Sequence, residues 1–284
     1  MEFFAVLVVL GLLQLWGSGR RLQRDVWFYQ LAEGLPKLLP YARLRVAVLV
    51  GLPAVLVLLL QALFDSLLFG LLSLLLYVGI LFYSLGRGNL SEQLHAYLSS
   101  WSFGNFESAY AKAIGMGDFQ PSDAISDHIS LHEQVRKAYI YESFERWFAV
   151  VFWFLLVGPV GAIVYRLSYL AGRAEVLAEN DRLIALRFVH YLDWVPARLL
   201  AISFALAGNF VSGFKQHLFE NRPAAEMLEV CAIAAINETG EPCIYPEEQA
   251  VFIEYGRKEI SAIQSLLSRS VICWLVVVAL ITLL

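Results

Sequence analysis

Residues 190–206 read "HYLDWVPARLLAISFAL". Most of this stretch is apolar enough for lipid, yet His190, Asp193, Pro196 and Arg198 fall within nine residues. Proline has no N–H and clashes with a helix interior, although it fits a first turn. Aspartate is a good N-cap because its carboxylate accepts from free N–H groups. The stretch therefore predicts a break at Asp193, with one helix ending near Leu192 and another running from Trp194. Arg198 then lies one turn in, placed to pair with Asp193 or with an anion, since a helix start also presents free N–H groups and a positive dipole end. The plainer alternative is a cap and a salt bridge that only hold the backbone. Ionisable groups inside a membrane segment are otherwise taken as functional.

The composition supports a membrane setting. The 284 residues are 59% hydrophobic and 16% charged, with mean hydropathy +0.63. A soluble domain has about 45–50% apolar and about 25% charged residues. The net charge of −4 excludes no class by itself, and no basic tract or aromatic–basic interleaving suggests a nucleic-acid partner. Cys231, Cys243 and Cys273 are too dispersed for a disulfide framework or a zinc signature.

A bilayer-crossing helix needs about 20 apolar residues. Residues 3–16, 46–64, 67–85, 147–170, 188–211 and 266–284 qualify in varying degree, giving about four to six spans. The first, which lacks a basic leader and a small-residue cleavage site, reads as a retained short helix. Only Asp65 and Ser66 separate the second and third, which predicts a tight hairpin. The fourth and fifth carry Gly or Pro and are expected to be broken or re-entrant. If all six cross, segments 17–45, 86–146 and 212–270 hold 16 Lys and Arg against three in 171–187. Those three segments are then cytoplasmic.

Within 86–146, "NLSEQLHAYLSSW" and "FESAYAKAI" place apolar residues on single helical faces. A turn follows at "GMGDFQPSD", where Ser122 or Asp123 would cap a helix over 124–146. That helix has an apolar stripe of Ala124, Ile125, Leu131, Val135, Ala138 and Tyr139, and the same stripe holds His128, His132, Glu142 and Arg146. A buried charge needs a partner, and Glu142 and Arg146 are four apart. Residues 212–265 read as helices around a loop. The expected organisation is one membrane domain over 1–284 with cytoplasmic helical segments at 86–146 and 212–265.

Other motifs carry little chemistry. His128 and His132 have the spacing of two metal ligands, but no third ligand stands nearby, and no metal is expected. "GRGNLS", 86–91, lacks the Lys-Ser/Thr of a phosphate loop. In "VGPVGAIVYRLSYL", 157–170, Gly158, Pro159 and Gly161 predict a helix break or close helix contact. Arg166 reads as a paired or snorkelling cation, with phosphate binding as the alternative.

"LDWVPARLLA", "FWFLLVGPVGAIVYRL" and "HAYLSS" together resemble the AmpE family of Gram-negative inner-membrane proteins, along nearly the whole chain. The resemblance implies a regulatory or sensory protein that modulates β-lactamase induction, linked to peptidoglycan recycling and to a cytosolic muropeptide amidase. AmpE is in turn similar to the CobD/CbiB synthase of cobalamin biosynthesis, an ATP-dependent, amide-forming membrane enzyme. Gly158, Gly161, Ala162, Tyr165 and Arg166 match its "GxxGAxxYR" element, and Pro196, Ala197, Arg198 and Leu199 match "PARL". Where the synthase has "ENxSD" this chain has "YESFERW", with Glu142 and Glu145; for "SPNAG" it has "NRPAAEM". Losing groups that hold phosphates and metal argues against the ligase activity.

The expectation is thus an all-α, multi-pass inner-membrane bundle acting as a regulator. Its candidate polar site comprises Asp193, Pro196, Arg198, Arg166, Tyr165, Glu142, Glu145, Arg146, His128 and His132. No cofactor is expected; ATP and magnesium belong to the synthase alternative. A small-molecule transporter is the third alternative. The expected partners are the lipid bilayer, the amidase and a small anionic ligand.

Overall fold

The computed structural model describes residues 2–16, 25–65, 70–85, 90–114, 116, 119, 127–209, 222–237 and 245–283. Among these the chain is helical, without a strand. Several expectations lie outside them: the Ser122 or Asp123 cap, positions 124 and 125 of the apolar stripe, part of "GRGNLS", Asn221 and Cys243.

The chain divides into two compact units. The first comprises Met1–Gly88 and Arg146–Pro196. It holds α1 (Glu2–Trp16), α2 (Val26–Leu38), α3 (Ala42–Asp65), α4 (Leu71–Ser84), α8 (Val150–Val157) and α9 (Pro159–Arg173). It also takes α10 (Glu179–Ala207) as far as Pro196. α2, α3 and α9 meet through Phe28, Ala32, Leu35, Leu49, Val57 and Leu167. Burying a side chain of this size contributes about 1.5–3 kcal/mol. α9 is almost wholly enclosed, with Gly161 to Gly172 buried except Val164.

The second unit comprises Asn89–Glu145 and Ala197–Leu284. Its helices are α5 (Leu90–Ser102), α6 (Phe106–Ala113), α7 (His128–Ser143), α11 (Ala224–Ile236) and α12 (Gln249–Leu283), with the remainder of α10. α5 and α6 form a tight hairpin. Gly104 turns it at φ +70°, and Asn105 caps α6 by accepting from the Ser108 N–H at 3.0 Å. Trp101 anchors α5, donating its indole N–H to the Ile253 carbonyl of α12 at 3.0 Å.

Two expectations are corrected. The break at Asp193–Pro196 is absent: α10 runs unbroken from Glu179 to Ala207 with Pro196 inside it. The Leu192 carbonyl, left without an N–H by Pro196, accepts the Trp153 indole N–H at 3.2 Å. A side chain thus replaces the bond that proline removes. Segment 147–170, by contrast, is interrupted as its glycines and proline predict. α8 has 8 residues, about 12 Å of rise, and ends at Gly158. Gly158 has φ +75° and ψ −159°, a region essentially restricted to glycine, and Pro159 opens α9. Finally, the terminal helix begins at Gln249, well before residue 266. The helix expected over 124–146 is observed as α7, followed by a π-helical turn over Phe144–Ala149.

Among the described residues two helices are long and apolar enough to cross a bilayer, Ala42–Phe64 and Gln249–Leu280. Glu2–Leu13 and Leu71–Ser84 are shorter apolar helices.

Candidate functional site

In the first unit the polar groups sit on the inward faces of α9 and α10. The Tyr165 hydroxyl donates to Asp193 Oδ1 at 2.7 Å. Both residues are about 1% exposed. α8 also packs closely on α9: a Cβ on Gly161 would lie 2.2 Å from the Trp153 carbonyl oxygen. That approach also places the Trp153 indole to serve Leu192. The next residue of α9 after Tyr165, the buried Arg166, lies 3.6 Å from Asp25 Oδ2. Asp25 also accepts the Tyr83 hydroxyl at 2.9 Å. Tyr169 receives two guanidinium groups on its ring, Arg173 at 3.8 Å and Arg166 at 5.6 Å.

From Tyr191 to Leu206, the exposed residues of α10 are Tyr191, Trp194, Val195, Leu199, Ile202 and Leu206. All are apolar. The last exposed polar residues before them are Arg187 and His190. The outer face of the helix is therefore apolar over about 24 Å, unlike that of a helix on a soluble protein, while its buried face sets Asp193 and Ser203 among Ala197, Leu200, Ala201, Phe204 and Ala205.

The second unit holds a different cluster, centred on Arg136 of α7. Its guanidinium donates to Glu229 of α11 at 2.9 and 3.1 Å, to Glu259 of α12 at 3.2 and 3.3 Å, and to the Tyr245 hydroxyl at 3.0 Å. His132, one turn earlier, meets the same Glu259 at 2.5 Å. Its ring lies against Trp101 and Phe252. Gly256 makes room for it, since a Cβ there would come within 3.0 Å of the imidazole. The Tyr245 hydroxyl in turn donates to Glu133 Oε1 at 2.9 Å.

The electrostatics follow from burial. Desolvation pulls the Arg136 pKa down, but Glu259, Tyr245 and Glu229 outweigh it and the group stays well above its ordinary value. Burial raises the Glu229 carboxyl against the pull of Arg136. Burial also pushes Tyr245 up to about 12. The cluster ties three helices through one cation. Its chemistry is that of a charge-dependent brace.

Of the ten expected site residues, the structure joins Tyr165 to Asp193. Arg166 takes Asp25, His132 takes Glu259, and His128 takes Asp127 at 2.9 Å. Pro196 is buried within α10. Glu142 and Glu145 are buried, while Arg146 and Arg198 are half-buried. Sequence reading missed Arg136, Glu229, Glu259, Tyr245, Asp25 and Tyr83. Arg136 had a signal, being four residues from His132 on the same face. The others are remote in sequence from their partners and had none.

Comparison with known proteins gives a family and two partial likenesses. The family described as "Regulatory signalling modulator protein AmpE" matches over residues 1–216. The chain is 36% identical over 75 residues to the cobalamin biosynthesis protein CobD of Chromobacterium violaceum, covering 24% of this chain and 23% of that one. It is 38% identical over 65 residues to the CobD of Stutzerimonas stutzeri, covering 22% of each. The chain thus spans less than a quarter of the length of these curated relatives. No solved structure matches. With more than half its length matched, helical throughout its described residues and carrying two helices long enough to cross a bilayer, this chain belongs to the AmpE family of regulatory signalling modulators.

Proposed function

We propose that this protein is a multi-pass inner-membrane regulator that modulates β-lactamase induction, reporting on cell-wall recycling. The observation that carries the regulatory part is the family match over 1–216. The membrane part is supported by α10, whose carboxylate is turned inward onto Tyr165 while its outer face from Tyr191 to Leu206 is apolar. Such a helix is costly in water and natural in lipid, where ionisable side chains face the bundle interior. Discontinuity at Gly158 is tolerated at membrane depth where it is buried in protein.

In this reading Tyr165–Asp193 and Asp25–Arg166–Tyr83 are the charge-bearing elements whose occupation shifts helix packing. A ligand or partner moves such an equilibrium only by its differential affinity for the two arrangements. An anionic small molecule competing for Arg166 is the ligand chemistry that fits, and a cytosolic muropeptide amidase the partner.

The test is complementation in a Gram-negative host lacking the protein, with β-lactamase activity measured after a β-lactam inducer. Wild type alters induction; Tyr165→Phe and Asp193→Asn shift that response at unchanged membrane abundance. Identical induction with and without the chain contradicts the proposal. The partial likeness to CobD favours a second reading, an ATP-dependent synthase using magnesium. Purified protein that turns over ATP in a manner dependent on Glu142 and Arg198 would favour it.

A further inference from the structure

α2 has three lengthwise faces rather than two. Phe28, Ala32 and Leu35 are buried against the core of the first unit. Trp27, half-buried Leu31 and Leu38 follow one another at helical spacing along one edge, with Gly34 between them. Gln30, Glu33 and Lys37 are exposed along the other edge, which begins with the exposed Val26 in the first turn. A helix bathed in water has no use for a second apolar edge, and one immersed in lipid would not carry Gln, Glu and Lys on its outer side. Both edges are satisfied only where lipid meets water.

The surroundings fix the helix in that setting. Arg45 of α3 donates to the carbonyls of Leu39 and Pro40 at 3.1 and 2.9 Å, while its other nitrogens grip Asp181 of α10 at 2.9 and 2.8 Å. The turn between α2 and α3 is thus braced rather than loose. Along it Leu38 is 78% and Tyr41 69% exposed. Leu44 then leads into the exposed apolar positions Leu52, Leu56, Leu59 and Leu63 of α3. The apolar edge of α2 is therefore continuous along the chain with the outer face of a bilayer-length helix. Trp27 and Tyr41 are the residue types that favour the headgroup level. Lys37 and Arg43 are both exposed there. Arg45 is already neutralised by Asp181, and Glu33 lies one turn from Lys37, so Arg43 is the less compensated of the two exposed cations.

We propose that α2 lies in the headgroup layer of a membrane leaflet, its Trp27–Leu31–Leu38 edge in the acyl chains, with Lys37 and Arg43 holding anionic phospholipid headgroups. This rests on the membrane reading above. A basic side chain at an anionic surface gains about fivefold in affinity.

The experiment uses the full chain with Cys231→Ala, Cys243→Ala and Cys273→Ala, spin-labelled through single cysteines and reconstituted in bilayers. Leu31→Cys and Leu38→Cys labels are expected to be accessible to oxygen and protected from a water-soluble nickel chelate; Gln30→Cys and Glu33→Cys show the reverse. A Leu56→Cys label on α3 is the control. If Leu56 is also wet, the membrane reading itself fails. If Leu56 is in lipid while positions 31 and 38 are wet, the α2 proposal alone is overturned. Closure of positions 31 and 38 to both reagents means that protein covers the edge, which overturns it equally. For the headgroups, phosphatidylglycerol added to phosphatidylcholine is expected to raise the unfolding temperature of wild type but not of Lys37→Gln/Arg43→Gln. An equal rise in both, or none in wild type, overturns the anionic part.

Discussion

Asp193 and Glu259 are both buried carboxylates on long helices, at 1% and 6% exposure, yet their helices present opposite faces to the outside. Around Asp193 the outer surface of α10 is Tyr191, Trp194 and Val195. Around Glu259 the outer surface of α12 is Glu254, Arg257 and Lys258, with Arg257 and Glu254 paired at 2.8 Å. Asp193 accepts a tyrosine hydroxyl, whereas Glu259 is gripped by an arginine and a histidine. A buried charge by itself does not say which solvent a helix meets; the residues on its far side do. On the membrane reading proposed above, the Asp193 stretch of α10 would meet lipid and the Glu259 half of α12 water, before α12 turns apolar at Ile272, Val276, Val277 and Leu280.

This contrast can be broken at several points. The largest effect is expected from Glu259→Ala, which leaves Arg136 and His132 buried without their shared carboxylate. Losing one partner of a buried pair costs about 3–5 kcal/mol, read as a lowered unfolding temperature in detergent. Replacing the pair together, as Arg136→Met/Glu259→Leu, recovers much of that loss if desolvation dominates. Next comes Ile202→Arg on the outer face of α10. An arginine at the centre of a membrane helix costs about 2.5–3.5 kcal/mol on insertion scales, and the carbonate-resistant fraction of the protein is expected to fall. Lys258→Leu, on the outer face of α12, leaves that fraction unchanged. Trp153→Phe removes the donor to the Leu192 carbonyl and costs about 1–3 kcal/mol if the group stays dry. Free access of water to that carbonyl would cut the effect to nothing and weaken the assignment of α10 to lipid. The smallest effect is chemical. Burial pushes the Cys231 thiol of α11 up to about 11, so maleimide labels it only after unfolding.

The sequence made the helical class and the bilayer-length helices at 42–64 and towards the C-terminus readable, because their signals are local: apolar runs of sufficient length. Gly158 and Pro159 are local too, and the chain does turn there. Pro196 shows where locality ends. Its helix-breaking tendency is a property of the dipeptide, but the remedy is Trp153, which lies 39 residues before the Leu192 carbonyl it serves. The site fared similarly. His132 was picked from the stripe of α7, and Arg136 was available from the same periodicity. Glu259 was not, since nothing in 212–265 says which of its many carboxylates faces α7. Asp25 likewise reaches Arg166 across 141 positions. Partners that are close only in space are legible only once helix packing is known.

The central claim is that α10 carries its charge inward and its apolar face to lipid. The most direct test is a cysteine scan of α10 in sealed membrane vesicles, using Arg187→Cys and His190→Cys as wet references and Trp194→Cys, Leu199→Cys and Ile202→Cys on the outer face. The account predicts that the last three resist a membrane-impermeant maleimide added to either side, and that fluorophores attached to them in detergent are quenched by brominated lipid after reconstitution. Labelling of positions 194, 199 and 202 as fast as position 187, without quenching by the lipid, would contradict it.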